Sequence, residues 1–198
     1  MVELSSLGFG VSGAHGTRLV SRARTQALVA EAFDRGIRYF DTAPSYGAGE
    51  CEHRLGRALR AFDGETLAIS TKVGLSSHGL WGRRRDLSPE GVEDSLRASL
   101  GRLGREGVDL LILHGAAPHE LHSDLLARLQ ALKRAGAYRW LGATGRGEAN
   151  SATRGGCGTT AQEAGWLFGW LFGCFILLTA PKGLLASALR HILGKGRR

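Results

Sequence analysis

Apolar runs alternate with amphipathic segments along the first 145 residues. Five runs of apolar or β-branched residues start at intervals of about 30 residues, which is the spacing of successive strands in βαβ units. Glycine, proline or polar residues bound each run, as they bound buried strands. The predicted strands cover residues 7–11, 37–41, 67–72, 108–113 and 138–142.

The segments between these runs have helical periodicity. Apolar residues recur three and four positions apart, which predicts one buried face for each helix. Ser21 and Ser88 suit helix N-caps, and Pro89 suits the first helical position. Gly36 suits the left-handed residue that follows a helix end. The predicted helices cover residues 22–35, 50–61, 89–103 and 119–135.

This alternation predicts a parallel sheet with helices on its outside. Right-handed crossovers place the carboxyl ends of all the strands on one rim, where α/β barrels carry their chemistry. Three successive runs end in an ionisable residue, at Asp41, Lys72 and His114. Tyr46 follows Asp41 after a short Ala-Pro-Ser break. We therefore expect these side chains on the same rim.

Each of these residues has an ordinary structural interpretation when it is taken alone. An isolated Asp41 would cap a loop, and an isolated Tyr46 would cover the next helix. Lys72 could reach solvent from its strand end, and His114 could be a satisfied histidine at the edge of the core. Their occurrence together at successive strand ends favours a joint chemical role.

Three stretches of the sequence resemble the aldo-keto reductases, which are NADPH-linked carbonyl reductases built on a (β/α)8 barrel. The stretches are Phe-Asp-Thr-Ala-Pro-Ser-Tyr-Gly at 40–47, Ser-Thr-Lys-Val-Gly at 70–74 and Asp-Leu-Leu-Ile-Leu-His at 109–114. Their order and spacing match the Asp, Tyr, Lys and His of the family's catalytic set. The resemblance runs from about Leu7 to Gly145, which implies an incomplete TIM-barrel fold of about five βα units.

The resemblance implies carbonyl reduction, with a small aldehyde or ketone as the substrate. Tyr46 would be the general acid, although a free tyrosine with a pKa near 10 is a poor acid at neutral pH. Lys72 would lower that pKa, and Asp41 would hold Lys72 charged. His114 would orient the carbonyl oxygen or share the proton.

The resemblance also implies a nicotinamide cofactor that supplies the hydride. Ser12 and Gly13, in the glycine-rich loop after the first run, are the predicted cofactor contacts together with Asp41. NADP(H) is the cofactor that the family implies. NAD(H) stays open, because strands six to eight and the loop that grips the adenosine 2′-phosphate have no counterpart in the sequence.

Five strands cannot close a barrel whose geometry requires eight. The outer strands would leave edges and apolar surface that another segment must cover. Three alternatives remain open: the C-terminal tail covers the half-barrel, a second copy or another chain covers it, or the chain is a truncated form with impaired activity.

The composition changes after residue 145. Residues 146–163 are rich in glycine, serine, threonine and alanine, and they are interpreted as a flexible linker. Residues 164–180 carry no charge over 17 positions and are predicted to form an apolar helix. Residues 181–198 are predicted to form a basic amphipathic helix. This tail, residues 164–198, would either contact a membrane or pack against the half-barrel.

Most of the net charge of +8 lies near the C-terminus, because residues 150–198 hold six basic residues and one acidic residue. The only compact basic run in the body, Arg83–Arg85, is interpreted as a solvated loop. No RNA-binding signature accompanies it, so a nucleic-acid partner is not expected. The three cysteines have no Cys-x-x-Cys spacing, and His119 and His122 have no third ligand. We expect no metal site and a cytoplasmic protein, with membrane association as the alternative.

The functional prediction is therefore an NAD(P)H-dependent aldo-keto reductase-like oxidoreductase. Two other classes remain open. One is a noncatalytic binding subunit that uses the half-barrel as an interaction surface. The other is a membrane-associated protein in which the tail is the functional part.

Overall fold

The computed structural model describes residues 5–78, 82–144, 166–171 and 174–179. Its main sheet has five parallel strands that pair with one another in chain order, and an antiparallel hairpin lies between the third and fourth of them in the chain. The strands up to residue 144 are β1 (Gly8–Gly10), β2 (Tyr39–Asp41), β3 (Ala68–Val73), β4 (Leu75–His78), β5 (Gly82–Arg85), β6 (Val108–His114) and β7 (Tyr138–Thr144).

Four helices connect the strands of the main sheet, and their ends follow the predicted signals. The Ser21 and Ser88 hydroxyls accept hydrogen bonds from backbone N–H groups three residues on, at 3.1 Å each. Gly36 has φ +85° after the first helix. The helices are α1 (Arg22–Asp34), α2 (Glu50–Leu59), α3 (Pro89–Leu103) and α4 (Ser123–Arg134).

The α4 helix begins four residues later than the sequence predicts. Pro118–Glu120 forms a short 3-10 turn before it. The Glu120 carboxylate accepts a hydrogen bond from the Ala117 N–H at 2.7 Å, which stabilises this turn ahead of the helix. The periodicity of apolar residues therefore locates the helix, while a local side-chain contact decides where it starts.

The core lies between the sheet and the apolar faces of the helices. Phe40 and Leu111 are fully buried at its centre, where they join Val29, Leu55, Leu59, Leu96, Leu103, Leu125 and Leu129. Burial of each such side chain contributes about 1.5–3 kcal/mol of hydrophobic free energy. The fold is thus the expected partial (β/α) barrel, with a parallel sheet and its helices on the outer side.

The β4–β5 hairpin corrects one prediction. Arg83–Arg85 belong to β5 rather than to a solvated loop, with Leu75 opposite Arg85 in the register. Arg85 forms an ion pair with Glu120, and Arg84 lies 3.1 Å from Asp86. One of these carboxylates is a near neighbour of its arginine, and the other lies 35 residues away, where the local run of charge does not reveal it.

The described part of the tail also differs from its prediction. Trp166–Leu171 (β8) and Cys174–Thr179 (β9) form an antiparallel pair rather than a helix. A short apolar run does not by itself distinguish a helix from a strand, and Gly169 inside it disfavours a helix. The β9 strand lies close to β1. The predicted linker and the predicted basic helix fall outside the described residues.

None of the helices within the described residues is long and apolar enough to cross a membrane.

Candidate active site

The carboxyl ends of β2 and β3 hold a buried ion pair. The Lys72 ammonium lies 2.7 and 2.8 Å from the two carboxylate oxygens of Asp41, and it also donates to the Thr42 carbonyl at 2.9 Å. Only 8% of the Lys72 side chain and 13% of the Asp41 side chain are exposed. The positions follow from the sheet register, which pairs Asp41 with Ser70 and leaves Lys72 two residues further along on the same face.

Tyr46 and His114 complete this cluster. The Lys72 ammonium lies 5.1 Å from the centre of the Tyr46 ring. The Tyr46 and His114 rings are 6.3 Å apart and meet edge to face, at an angle of 82°. The structure therefore brings all four residues of the predicted catalytic set together on one rim.

The environment keeps Lys72 charged. Burial alone would lower the pKa of Lys72, but charge interactions and hydrogen bonds with Asp41 and Tyr46 outweigh it and hold the pKa above its usual value. The lysine is therefore an ammonium at neutral pH. A fixed cation of this kind stabilises negative charge that develops on a neighbouring phenol or carbonyl oxygen.

Close contact between two glycines holds the loop that carries Tyr46. A Cβ atom on Gly47 would lie 2.5 Å from the Gly16 Cα, and Gly47 also has φ +59°. Only glycine at both positions lets these two loops touch. The next residue, Ala48, has φ +53°, an unfavourable conformation for an alanine. Tyr46 is thus fixed by backbone contacts that its own strand does not provide.

The loop after β1 lies next to the ion pair. The Val11 N–H donates to the Asp41 carbonyl at 2.8 Å, and the Thr42 hydroxyl donates to the Val11 carbonyl at 3.1 Å. Ser12 is buried, whereas no atom lies within 4 Å of the Cβ position at Gly13. The two predicted cofactor contacts therefore lie at the same end of the sheet as Asp41. Their role remains a prediction.

Two polar residues outside the predicted catalytic set also surround the ion pair. The Ser70 hydroxyl donates to Asp41 Oδ1 at 2.6 Å, and the Tyr39 hydroxyl donates to Ser70 Oγ at 2.8 Å. Both lie two residues before a predicted site residue. The strand period of two was the signal that could have placed them on the same face.

A cavity of about 460 Å³ lies beyond the Tyr46 loop, between the β4–β5 hairpin and α3. Pro44 and Ala48 line it, whereas none of the four rim residues does. Among the described residues, no three histidines, cysteines or carboxylates gather as metal ligands. The cluster at the rim is therefore the candidate active site.

The fold and this rim define a class of protein, the parallel (β/α) barrels with a tyrosine, an aspartate–lysine pair and a histidine at the strand ends. The family model for the aldo/keto reductase family matches residues 6–153. The chain belongs to the aldo/keto reductase family.

Individual relatives agree with this membership. The chain is 37% identical to a pyridoxal 4-dehydrogenase of Microbacterium luteolum, over 64% of this chain and 46% of that protein. It is 30% identical to an NADH-specific methylglyoxal reductase of Escherichia coli, over 58% of this chain and 39% of that protein. A solved aldo-keto reductase of Bacillus halodurans superposes with a TM-score of 0.65 at 28% identity, over 72% and 47% of the two chains. The chain spans about half the length of these relatives.

Proposed function

We propose that this chain is an NAD(P)H-dependent oxidoreductase that reduces a small aldehyde or ketone to an alcohol, with Tyr46 as the proton donor. One observation carries the proposal: the Lys72 ammonium, bound to both oxygens of Asp41, lies 5.1 Å from the centre of the Tyr46 ring. A cation at this distance favours the phenolate. Tyr46 therefore releases its proton more readily than a free tyrosine does.

The other rim residues have supporting roles in this proposal. Asp41 keeps Lys72 charged and in place, because it occupies two of its donors. His114 lies edge-on to Tyr46, where its ring can orient the carbonyl oxygen for the proton. Two relatives are named for pyridoxal and methylglyoxal, which makes these two compounds the first substrates to test.

The described residues fit the reacting end of a nicotinamide cofactor. Ser12 and Gly13 would hold it, because their loop adjoins Asp41 and the Cβ direction of Gly13 faces open space. A reduced nicotinamide, when bound, supplies the hydride for the carbonyl carbon. NADP(H) is the first candidate. The Escherichia coli relative is NADH-specific by name, so NAD(H) belongs in the same experiment.

The test combines cofactor binding with turnover. The purified chain is titrated with NADPH and with NADH by nicotinamide fluorescence, and turnover is then followed by absorbance with pyridoxal, methylglyoxal and a panel of aldehydes. We expect Tyr46→Phe to lower kcat by about 100-fold or more, as loss of a general acid does. Tyr138→Phe is the matched control, because that hydroxyl bonds to the Leu129 carbonyl away from the rim. Unchanged turnover in Tyr46→Phe would remove the assignment, and absence of cofactor binding and turnover in the unmutated chain would refute the activity.

Within the described residues β7 is an edge strand of the main sheet, which favours a second candidate function, a noncatalytic binding subunit. Trp140 and Leu141 point to opposite faces of β7, and 47% and 41% of their surfaces are exposed. An exposed strand edge with apolar neighbours is suited to pairing with another chain. Light scattering across a concentration series, with Trp140→Lys as the comparison, tests this function. A monomer at all concentrations would argue against a second copy as the partner.

A further inference from the structure

Two hydroxyl groups connect the interior of the sheet to the ion pair at the rim. The Tyr39 hydroxyl donates to Ser70 Oγ at 2.8 Å, and the Ser70 hydroxyl donates to Asp41 Oδ1 at 2.6 Å. A serine hydroxyl has a single proton, and here Asp41 receives it. Ser70 can therefore only accept from Tyr39, so this chain of hydrogen bonds has one direction.

The register of the sheet brings the side chains of these hydrogen bonds together. Asp41 and Ser70 face each other across the parallel ladder between β2 and β3. Tyr39 lies two residues before Asp41, and Lys72 lies two residues after Ser70, so all four side chains share one face. Tyr39 is 5% exposed and Ser70 is fully buried. The hydroxyls are thus fixed in place, with little access to water.

Tyr39, the first donor in this series of hydrogen bonds, stays protonated. Burial raises the pKa of Tyr39, and the nearby Asp41 charge raises it further, against a smaller lowering by the Ser70 hydrogen bond. A neutral Tyr39 always has a proton to donate. At neutral pH Ser70 therefore keeps its own proton directed at Asp41.

The two Asp41 oxygens have different surroundings. Oδ1 accepts from both Ser70 and Lys72, whereas the hydrogen bond described at Oδ2 comes from Lys72. The Ser70 hydrogen bond prevents rotation of the carboxylate and withdraws part of its charge from Lys72. More of the ammonium's field then acts on Tyr46.

We propose that Ser70 is a positioning residue for the Tyr46 acid, that it acts through Asp41 and Lys72, and that Tyr39 supports it. This inference rests on the proposed function in assigning the acid to Tyr46. It adds two residues to the site, neither of which touches the substrate. Loss of the Ser70 hydroxyl leaves more of the Asp41 charge acting on Lys72, so that less of the ammonium's field stabilises the phenolate of Tyr46.

The test follows the ionisation of Tyr46 directly. The chain has only three tyrosines, so selective 13Cζ labelling gives three resonances that single Tyr→Phe changes assign. We expect the midpoint of the Tyr46 titration to rise in Ser70→Ala and to rise less in Tyr39→Phe. Ser70→Cys keeps a side chain of similar shape and lacks a strong donor, so its Tyr46 midpoint should rise as in Ser70→Ala. Ser99→Ala is the matched control, because Ser99 is equally buried but bonds to Arg102.

Turnover provides the second readout. In the Ser70 variants we expect kcat to fall about 10-fold with a small change in KM, and the alkaline limb of the pH profile to move upward. If the Tyr46 midpoint in both Ser70 variants equals that of the unmutated chain, the proposal is overturned. The titration needs no turnover, so failure of the proposed reductase activity and failure of this inference are separate results.

Discussion

Two buried carboxylates contact the same strand from opposite faces of the sheet. Asp41 accepts from Ser70 and Lys72 at the rim of the half-barrel. Glu52, on α2, accepts from the Thr71 hydroxyl and from Arg102 Nε, each at 2.6 Å. Because β3 side chains alternate, Ser70 and Lys72 point to one face and Thr71 to the other.

The two ion pairs are similar in chemistry and differ in place. Glu52, on α2, is fully buried, and its partner Arg102, on α3, also donates a hydrogen bond to the Ser99 hydroxyl. Asp41 lies at the strand end, where the Tyr46 ring lies near the same cation and the His114 ring meets Tyr46 edge to face. A buried ion pair becomes a candidate for chemistry only where an acid and an open rim adjoin it. Four substitutions test this comparison.

The largest effect is expected from Glu52→Ala. Arg102 and the Thr71 hydroxyl would lose their acceptor inside the structure, which typically costs about 3–5 kcal/mol of unfolding free energy. Urea unfolding followed by circular dichroism measures it. Glu31→Ala is the control, because the Glu31–Arg35 pair is exposed and contributes about 0.5 kcal/mol or less. Equal losses in the two variants would contradict the structural role of Glu52.

Lys72→Met should cost less stability, about 1.5–3 kcal/mol. Asp41 would retain the Ser70 hydrogen bond, and 13% of its side chain can still reach water. Lys72→Met should also lose turnover. Glu52→Ala should retain turnover under conditions in which that variant is folded. Lys133→Met, at an exposed position on α4, is the control. A stability loss as large as that of Glu52→Ala would mean that the rim pair is chiefly structural.

Gly47→Ala moves Tyr46 without changing either ion pair. The new Cβ would meet the Gly16 backbone at 2.5 Å, and φ +59° strains any non-glycine residue. We expect a loss of about 1–3 kcal/mol and a lower kcat. Gly64→Ala also has a positive φ, but no atom lies within 4 Å of its Cβ position. It should therefore lose stability while kcat is retained, and an equal kcat in both variants would exclude the loop contact as the cause.

The smallest effect concerns a third carboxylate, Glu50. Hydrogen bonds from Arg22 and then Arg54 lower its pKa from 4.5 to about 2. A carboxylate whose pKa is lower in the folded state stabilises the protein at pH values above its pKa in the unfolded state. This stabilisation is lost as pH falls from 4.5 toward 2. Because Glu50 and Arg22 are partly exposed, Glu50→Gln should cost about 1 kcal/mol or less of unfolding free energy at pH 7. The difference from the unmutated chain should shrink in acid.

Urea unfolding at pH 7 and pH 3 measures this difference. Glu65→Gln is the control, because the described structure gives the Glu65 side chain no ion pair. A Glu50→Gln effect of the same size at both pH values would show that the two arginines do not act through the charge of Glu50.

Local sequence patterns were sufficient to predict the helices and the strands of the main sheet. Caps at Ser21 and Ser88, the left-handed Gly36 and the alternation of runs placed all four helices and the five strands of the main sheet to within a few residues. These signals extend over two to four positions, which is the range of strand and helix periodicity. The four rim residues followed from the resemblance and from the common direction of parallel strands.

Contacts between distant segments could not be predicted in this way. Arg85 and Glu120 are 35 residues apart, and Glu52 and Arg102 are 50 apart. Sequence patterns alone place charged residues on exposed faces, yet Glu52 is fully buried. The described tail strands were missed for a related reason, because a short apolar run fits either a helix or a strand until its neighbours select one.

The sequence by itself determined the order of the four helices and of the five main-sheet strands, because side-chain periodicity acts locally. Strand direction and the family resemblance supplied the candidates Asp41, Tyr46, Lys72 and His114. Only the tertiary structure decided that Ser70 and Tyr39 hold Asp41, that Gly16 and Gly47 fix the Tyr46 loop, and that Glu52 is sealed against Arg102. Those contacts depend on strand register and helix docking, which bring together residues whose spacing in the chain carries no signal.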